Sequence, residues 1–186
     1  MIYLVSRSPR RKKILKDLKI CFKTLHPEYH EKAMPGATPA KLVRTHALGK
    51  ALSALHFISE GKILSADTVV YFKGRIIGKP KNKKDAVKIL GTLQGKWHQV
   101  YTGVVVLKIK NKEIVERLVF VEKTIVRLHP MGRLAILNYF KRVNPMDKAG
   151  AYAIQAARSP IVAEVRGSFF NAVGLPVETL KKALVL

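Results

Sequence analysis

Acid–base and metal chemistry have few candidate side chains here, because only 12 of the 186 residues are Asp or Glu. Context sorts them. Asp17, Glu60, Asp85 and Glu178 fall in stretches of helical period, and Glu113, Glu116 and Glu122 alternate along an extended hairpin pattern. Asp67 is the exception: it interrupts the run ILSADTVV, where a buried carboxylate is costly unless paired, protonated or bound to metal. Two readings stand side by side. Asp67 is either a strand-end residue that caps a loop or meets an arginine, or a functional carboxylate near a strand end, where ligands collect in open α/β sheets. Glu31 and Asp147 lie in irregular segments, and each is either a hard oxygen donor for magnesium or manganese or a solvated loop acid. Glu28 and Glu164 have no distinguishing context.

The basic counterpart is the hexapeptide SRSPRR at 6–11, directly after the apolar IYLV. Ser8-Pro9 is a helix start, with a hydroxyl cap followed by proline at the first helical position. A helix start presents free N–H groups and partial positive charge, and Arg10 and Arg11 add guanidinium forks suited to phosphate oxygens. The plainer reading is a capped helix with exposed arginines. Lys79 in Gly78-Lys79-Pro80 could also reach a phosphate, but no GxxxxGK[ST] or GxGxxG motif occurs, which excludes P-loop and Rossmann sites. His26 and His30 are spaced i, i+4, yet Pro27 opposes a helical turn there and no HExxH follows, so a zinc site is not expected. His98, after Trp97, reads as structural. A single cysteine, Cys21, excludes a disulfide framework and a multi-thiolate zinc site within one chain.

The elements that must position these groups follow from periodicity. A strand is expected at 2–5 and a helix from 9 to about 18, with Ile14, Leu15 and Leu18 on one stripe. Thr38-Pro39 repeats the start signal for a second helix, expected to continue to Gly61. Strands follow at 62–72 and 75–77, a helix at 83–93, and a long hairpin with arms 100–109 and 113–127 around Lys110-Asn111-Lys112. A helix at 131–140, a strand at 161–165 and a terminal helix at 176–184 complete the chain. Strands and helices alternate except at the hairpin, so the expected class is α/β with a mixed sheet. The loops 26–37 and 142–151 are longer than simple connections require.

The chain is 48% hydrophobic, enough for one compact domain or two small lobes, and no linker separates independent domains, so 1–186 is expected to be a single domain. Its 35 Lys and Arg give a net charge of +23, a surface that attracts polyanions, nucleotides or acidic membranes. Lysines spread evenly along the chain are equally consistent with solubility alone. No apolar stretch approaches the roughly 20 residues of a membrane span, and no signal-peptide core is visible, which leads to the expectation of a cytoplasmic protein.

Taken together, these stretches resemble the Maf family of nucleoside triphosphate pyrophosphatases, from residue 4 to residue 183. The matching segments are SRSPRR, HEKAMPG with GKA at 49–51, ADTVV, GKP, GKWHQVYTG, DKAGAYAIQ at 147–155, the Gly-Ser-x-x-Asn segment at 167–171 and GLP at 174–176. Each is weak alone, but their order and spacing are specific. The resemblance implies a mixed, twisted α/β sheet with two lobes around a cleft, similar to the inosine triphosphatase-like (Maf/Ham1) fold. It implies water attack on the α-phosphorus of a nucleoside triphosphate, releasing monophosphate and pyrophosphate, with Asp67 as general base and a divalent cation, magnesium or manganese, as cofactor. Substrate-discriminating contacts fall on Arg10, Thr68 and Gln155. Phosphate or metal-site roles fall on Ser8, Arg11, Glu31, Lys50 and Lys79, with Glu31 and Asp67 at the metal.

Thr68 after the Asp resembles the branch acting on dTTP and UTP, whereas the branch acting on 7-methyl-GTP carries Gln there. The implied roles are nucleotide-pool house-cleaning and, through the family's association with septum arrest, an effect on cell division. Three departures from the pattern stand out: His30 replaces an Asp before the Glu, Ala156 replaces the glycine after Gln155, and Arg7 is bulkier than the usual residue. The competing reading is a basic nucleic-acid-binding or regulatory protein with lost catalysis, although aromatics are not interleaved with its basic residues. Nucleic-acid contact through the basic surface and a homodimer stay open.

Overall fold

The computed structural model describes residues 1–155 and 159–184. Ala156 lies outside them. A seven-stranded sheet carries the chain, in the order β2-β1-β3-β5-β6-β7 with β4 added to β3. Its strands are β1 (Ile2–Val5), β2 (Phe22–Leu25), β3 (Gly61–Phe72), β4 (Arg75–Ile77), β5 (Trp97–Lys110), β6 (Glu113–Leu128) and β7 (Val162–Arg166). β1 pairs in parallel with both β2 and β3, whereas β3 with β4 and β6 with β7 are antiparallel. The sheet is therefore mixed, as the alternation of elements leads one to expect. Its helices are α1 (Pro9–Asp17), α2 (Pro39–Leu52), α3 (Lys83–Leu93), α4 (Arg133–Arg142), α5 (Phe169–Val173) and α6 (Val177–Leu184). Among the described residues no helix is long and apolar enough to cross a membrane.

Two compact units divide the chain. The first holds Met1–Asp67, Thr102–Glu122 and the stretch from Gly174, and the second holds Thr68–Tyr101 and Lys123–Val173. In the first, Val5, Ala47, Ala51, Ala54, Ile58, Ile63, Val105, Leu107 and Ile109 form one buried cluster. Three alanines in that list belong to α2 and the turn after it, so the helix meets the sheet with almost no side chain between. Gly103 on β5 completes the fit: a Cβ there would stand 2.6 Å from the backbone C and O of Val43. Ser65 on β3 then donates from its hydroxyl to the Ala47 carbonyl at 2.6 Å, tying helix to strand. At the far end of the β5–β6 hairpin, Asn111 and Lys112 both have positive φ, 52° and 68°, the pattern of the two-residue turn that matches strand twist.

In the second unit, buried Val70, Leu90, Leu93, Val126, Leu128, Ile136 and Tyr139 supply the core residues. His98 is 2% exposed and its Nε2 lies 2.7 Å from the Tyr152 hydroxyl, which bears out its structural reading.

Three local expectations need correction. α2 does not reach Gly61: the Ser53 hydroxyl donates to the Lys50 carbonyl at 2.9 Å and the Ala54 N–H bonds back to Ala51, which tightens the last turn and leads into a 3-10 turn at Leu55–Phe57. Glu60 therefore follows the helical region instead of lying in it. β2 went unrecognised because only its terminal Phe22 and Leu25 are apolar, and a short outer strand lacks the alternation of a half-buried one. α5 is also short, with five residues, but Ser168 announces it by accepting the Asn171 N–H at 3.0 Å.

Candidate active site

The amino-terminal cluster is built on the turn between β1 and α1. Ser8 has extended backbone and its hydroxyl accepts the Arg11 N–H at 3.5 Å, while Pro9 occupies the first helical position. Ser6 fixes the approach by accepting the Ser8 N–H at 3.1 Å. No acidic residue lies in the first turn of α1, so the positive end of the helix dipole has no neutralising side chain there. Arg10 is half-buried, but Arg11 is 9% exposed, on the same helix face as Ile14 and Leu15. Its Nε donates to the Gly174 carbonyl at 2.7 Å and its Nη1 to the Ser6 hydroxyl at 3.3 Å. Burial pushes the guanidinium down to about 10, Asp67 and Glu31 partly offset that, and Arg10 adds to it. Arg11 thus remains a cation at neutral pH and belongs to one electrostatic cluster with Arg10, Glu31 and Asp67.

The carboxylates meet on α2. The close seat of this helix on the sheet places Lys50 one turn beyond Ala47, and Asp67 two residues beyond Ser65, so the Ser65–Ala47 bond and the Lys50–Asp67 contact are successive rungs. Lys50 Nζ lies 2.6 Å from Asp67 Oδ1 and 2.5 Å from Glu31 Oε1. Asp67 is 7% exposed, whereas Glu31 is exposed on the irregular segment between β2 and α2. The cost of burying Asp67 is met by this ammonium partner, a lysine where one reading of the sequence expected an arginine.

The second unit holds the remaining expected residues. Thr68 is half-buried on β3, Lys79 is exposed in the turn after β4 and precedes the buried Pro80, and Gln155 is exposed in a turn after a 3-10 segment at Ala149–Ala151. Asp147 is ion-paired with the adjacent Lys148 at 2.5 Å. His26 and His30 are both exposed, and no group of three or more His, Cys, Asp or Glu converges among the described residues. A divalent ion held by one or two carboxylates and completed by substrate phosphates does not need such a group. Glu31 and Asp67 fit that donor set, since both are carboxylates with hard oxygens and both are gathered beside Lys50.

Sequence reasoning gave no individual role to Ser6 or Gly49 and overlooked Tyr29 and His46. Ser6 was signalled by its place in SRSPRR, and the burial of Arg11 by its spacing from Ile14 and Leu15; Tyr29 had no signal.

A mixed α/β sheet, a capped helix start that gathers arginines, and a buried carboxylate sharing an ammonium with a second carboxylate define the class: an α/β protein with a charge-lined polar site. The model of the Maf-like protein family matches residues 1–185, and the chain belongs to that family. It is 40% identical over 183 residues to the dTTP/UTP pyrophosphatase of Carboxydothermus hydrogenoformans, covering 98% of this chain and 96% of that protein. It is 41% identical over 179 residues to the protein of the same name from Thermosipho melanesiensis, covering 96% and 93%. Two solved structures share the fold. The Ham1 protein of Staphylococcus aureus superposes with a TM-score of 0.53 at 14% identity, covering 99% of this chain and 97% of that one. A HAM1 protein from Coxiella burnetii gives 0.50 at 16%, covering 99% and 98%.

Proposed function

We propose that this chain hydrolyses nucleoside triphosphates, dTTP and UTP foremost, to the monophosphate and pyrophosphate. The observation that carries the reading is the convergence of Asp67 and Glu31 on Lys50, in a chain whose full-length relatives bear the name dTTP/UTP pyrophosphatase. Water attacks the α-phosphorus, the bond to the bridging oxygen of the pyrophosphate breaks, and Asp67 accepts the proton that water loses. The Lys50 ammonium holds the Asp67 carboxylate in place and, with Arg10 and Arg11, offsets charge on the phosphate oxygens as the leaving group departs. Ser8 adds its hydroxyl as a donor to the same anion at the positive end of the α1 dipole.

Glu31 and Asp67 are the residues that would hold magnesium or manganese. When bound, such an ion supplies Lewis-acid polarisation of phosphate oxygens. A phosphate contact for Lys79 and base-discriminating contacts for Arg10, Thr68 and Gln155 are supported by the family pattern.

Chromatographic product analysis tests the reading, with dTTP, UTP, 7-methyl-GTP and the common triphosphates in magnesium or manganese, for wild type and Asp67→Asn. Wild type is expected to release dTMP or UMP with pyrophosphate, and the variant to lose about a hundredfold or more in kcat while still binding nucleotide. No hydrolysis of any triphosphate, or an Asp67→Asn enzyme with full rate, would overturn it.

A further inference from the structure

Tyr29 stands two residues before Glu31 and takes no part in the chemistry above. Its hydroxyl lies 3.0 Å from His46 Nδ1, and the two rings meet edge-on with centroids 6.0 Å apart. His46 is 5% exposed on α2, one helical turn before Lys50. Between them, Gly49 leaves the space that the phenol ring occupies: a Cβ at that position would overlap the Tyr29 ring at Cε2, Cζ and Oη. One face of α2 thus carries both a notch for Tyr29 and, at the next residue, the ammonium that Glu31 reaches.

The Glu31–Lys50 pair is poorly suited to hold the 26–38 segment alone. The Glu31 side chain is 52% exposed, and ion pairs that open to solvent are weak and screened by salt. The segment contains no helix or strand, so fixing Glu31 costs backbone entropy that some other contact must offset. An aromatic ring seated in a fitted notch, with its hydroxyl bonded, supplies that contact.

We propose that Tyr29, seated against Gly49 and bonded to His46, is a positioning residue that sets Glu31 against Lys50 and Asp67. The functional part of this inference rests on the reading of Glu31 and Asp67 as the carboxylates of nucleotide hydrolysis. Burial first, and then the negative charges of Glu31 and Asp67, push the Tyr29 phenol up, so it keeps its proton at neutral pH.

Two measurements test it, and the first needs no turnover. Amide hydrogen exchange across 28–36 in the free protein should accelerate about tenfold in Tyr29→Ala and in Gly49→Ala, the latter with Tyr29 itself intact. Tyr29→Phe, which keeps the ring, should accelerate it less. The second is a double-mutant cycle on kcat/KM: Tyr29→Ala should cost about tenfold in the wild-type background and nothing further in Glu31→Gln, because its effect passes through Glu31. Unchanged exchange in both Gly49→Ala and Tyr29→Phe overturns the docking, and the same two variants decide the matter if Tyr29→Ala fails to fold. An equal loss in the Glu31→Gln background overturns the positioning role. If wild type hydrolyses no triphosphate, the functional reading fails while exchange still decides whether Tyr29 docks the segment.

Discussion

Lys50 joins two carboxylates that come from different kinds of structure, Glu31 from an irregular segment and Asp67 from the interior of a strand. The division of labour follows from burial: Asp67 is held by its strand, whereas Glu31 depends on what holds its segment. His98 shows the opposite solution for a buried polar group. Burial pushes its imidazole down to about 4 from an ordinary 6.5, so the ring is neutral at pH 7 and hydrogen-bonded to Tyr152. Protonation is favoured in the unfolded chain, so stability is complete above about pH 6.5 and is lost as pH falls from there towards 4, by on the order of 3 kcal/mol from this group. Urea unfolding at pH 7 and pH 4.5 should therefore show a larger drop for wild type than for His98→Gln. Equal drops would contradict the assignment of this acid sensitivity to His98.

At the scale of elements, the site depends on how closely α2 lies on the sheet. Alanines at 47, 51 and 54 and the glycine at 103 make that approach, and the Ser65–Ala47 bond locks it one rung from Lys50–Asp67. Gly103→Ala should cost about 1–3 kcal/mol, because the new methyl meets helix backbone that cannot rotate aside. Denaturant unfolding measures the loss, and an unchanged midpoint would mean that α2 has freedom to move. The start of α2 was legible from Thr38-Pro39, and α1 from Ser8-Pro9, because capping is local chemistry. The end of α2 was not, since it depends on Ser53 turning back to the Lys50 carbonyl. β2 and α5 are too short for periodicity to register.

For the whole molecule, the mixed α/β sheet was legible because the alternation of strand and helix patterns survives local errors, and the ordered Maf motifs pointed to the family that the chain belongs to. Within the site, Asp67 was legible as the one acid that interrupts an apolar strand, and Arg10 and Arg11 as cations at a helix start. Its partnership with Lys50 was not, because a contact across 17 residues is made by the packing of α2 on β3 and leaves no trace in spacing. A net charge of +23 adds long-range attraction for any polyphosphate, which raises encounter rates without deciding which bond is cut. The most direct test of the proposed reaction is therefore the site of bond cleavage: hydrolysis of dTTP in heavy-oxygen water, with mass analysis of both products. Label in dTMP and none in pyrophosphate is the predicted result, since water attacks the α-phosphorus; label in the pyrophosphate would contradict it.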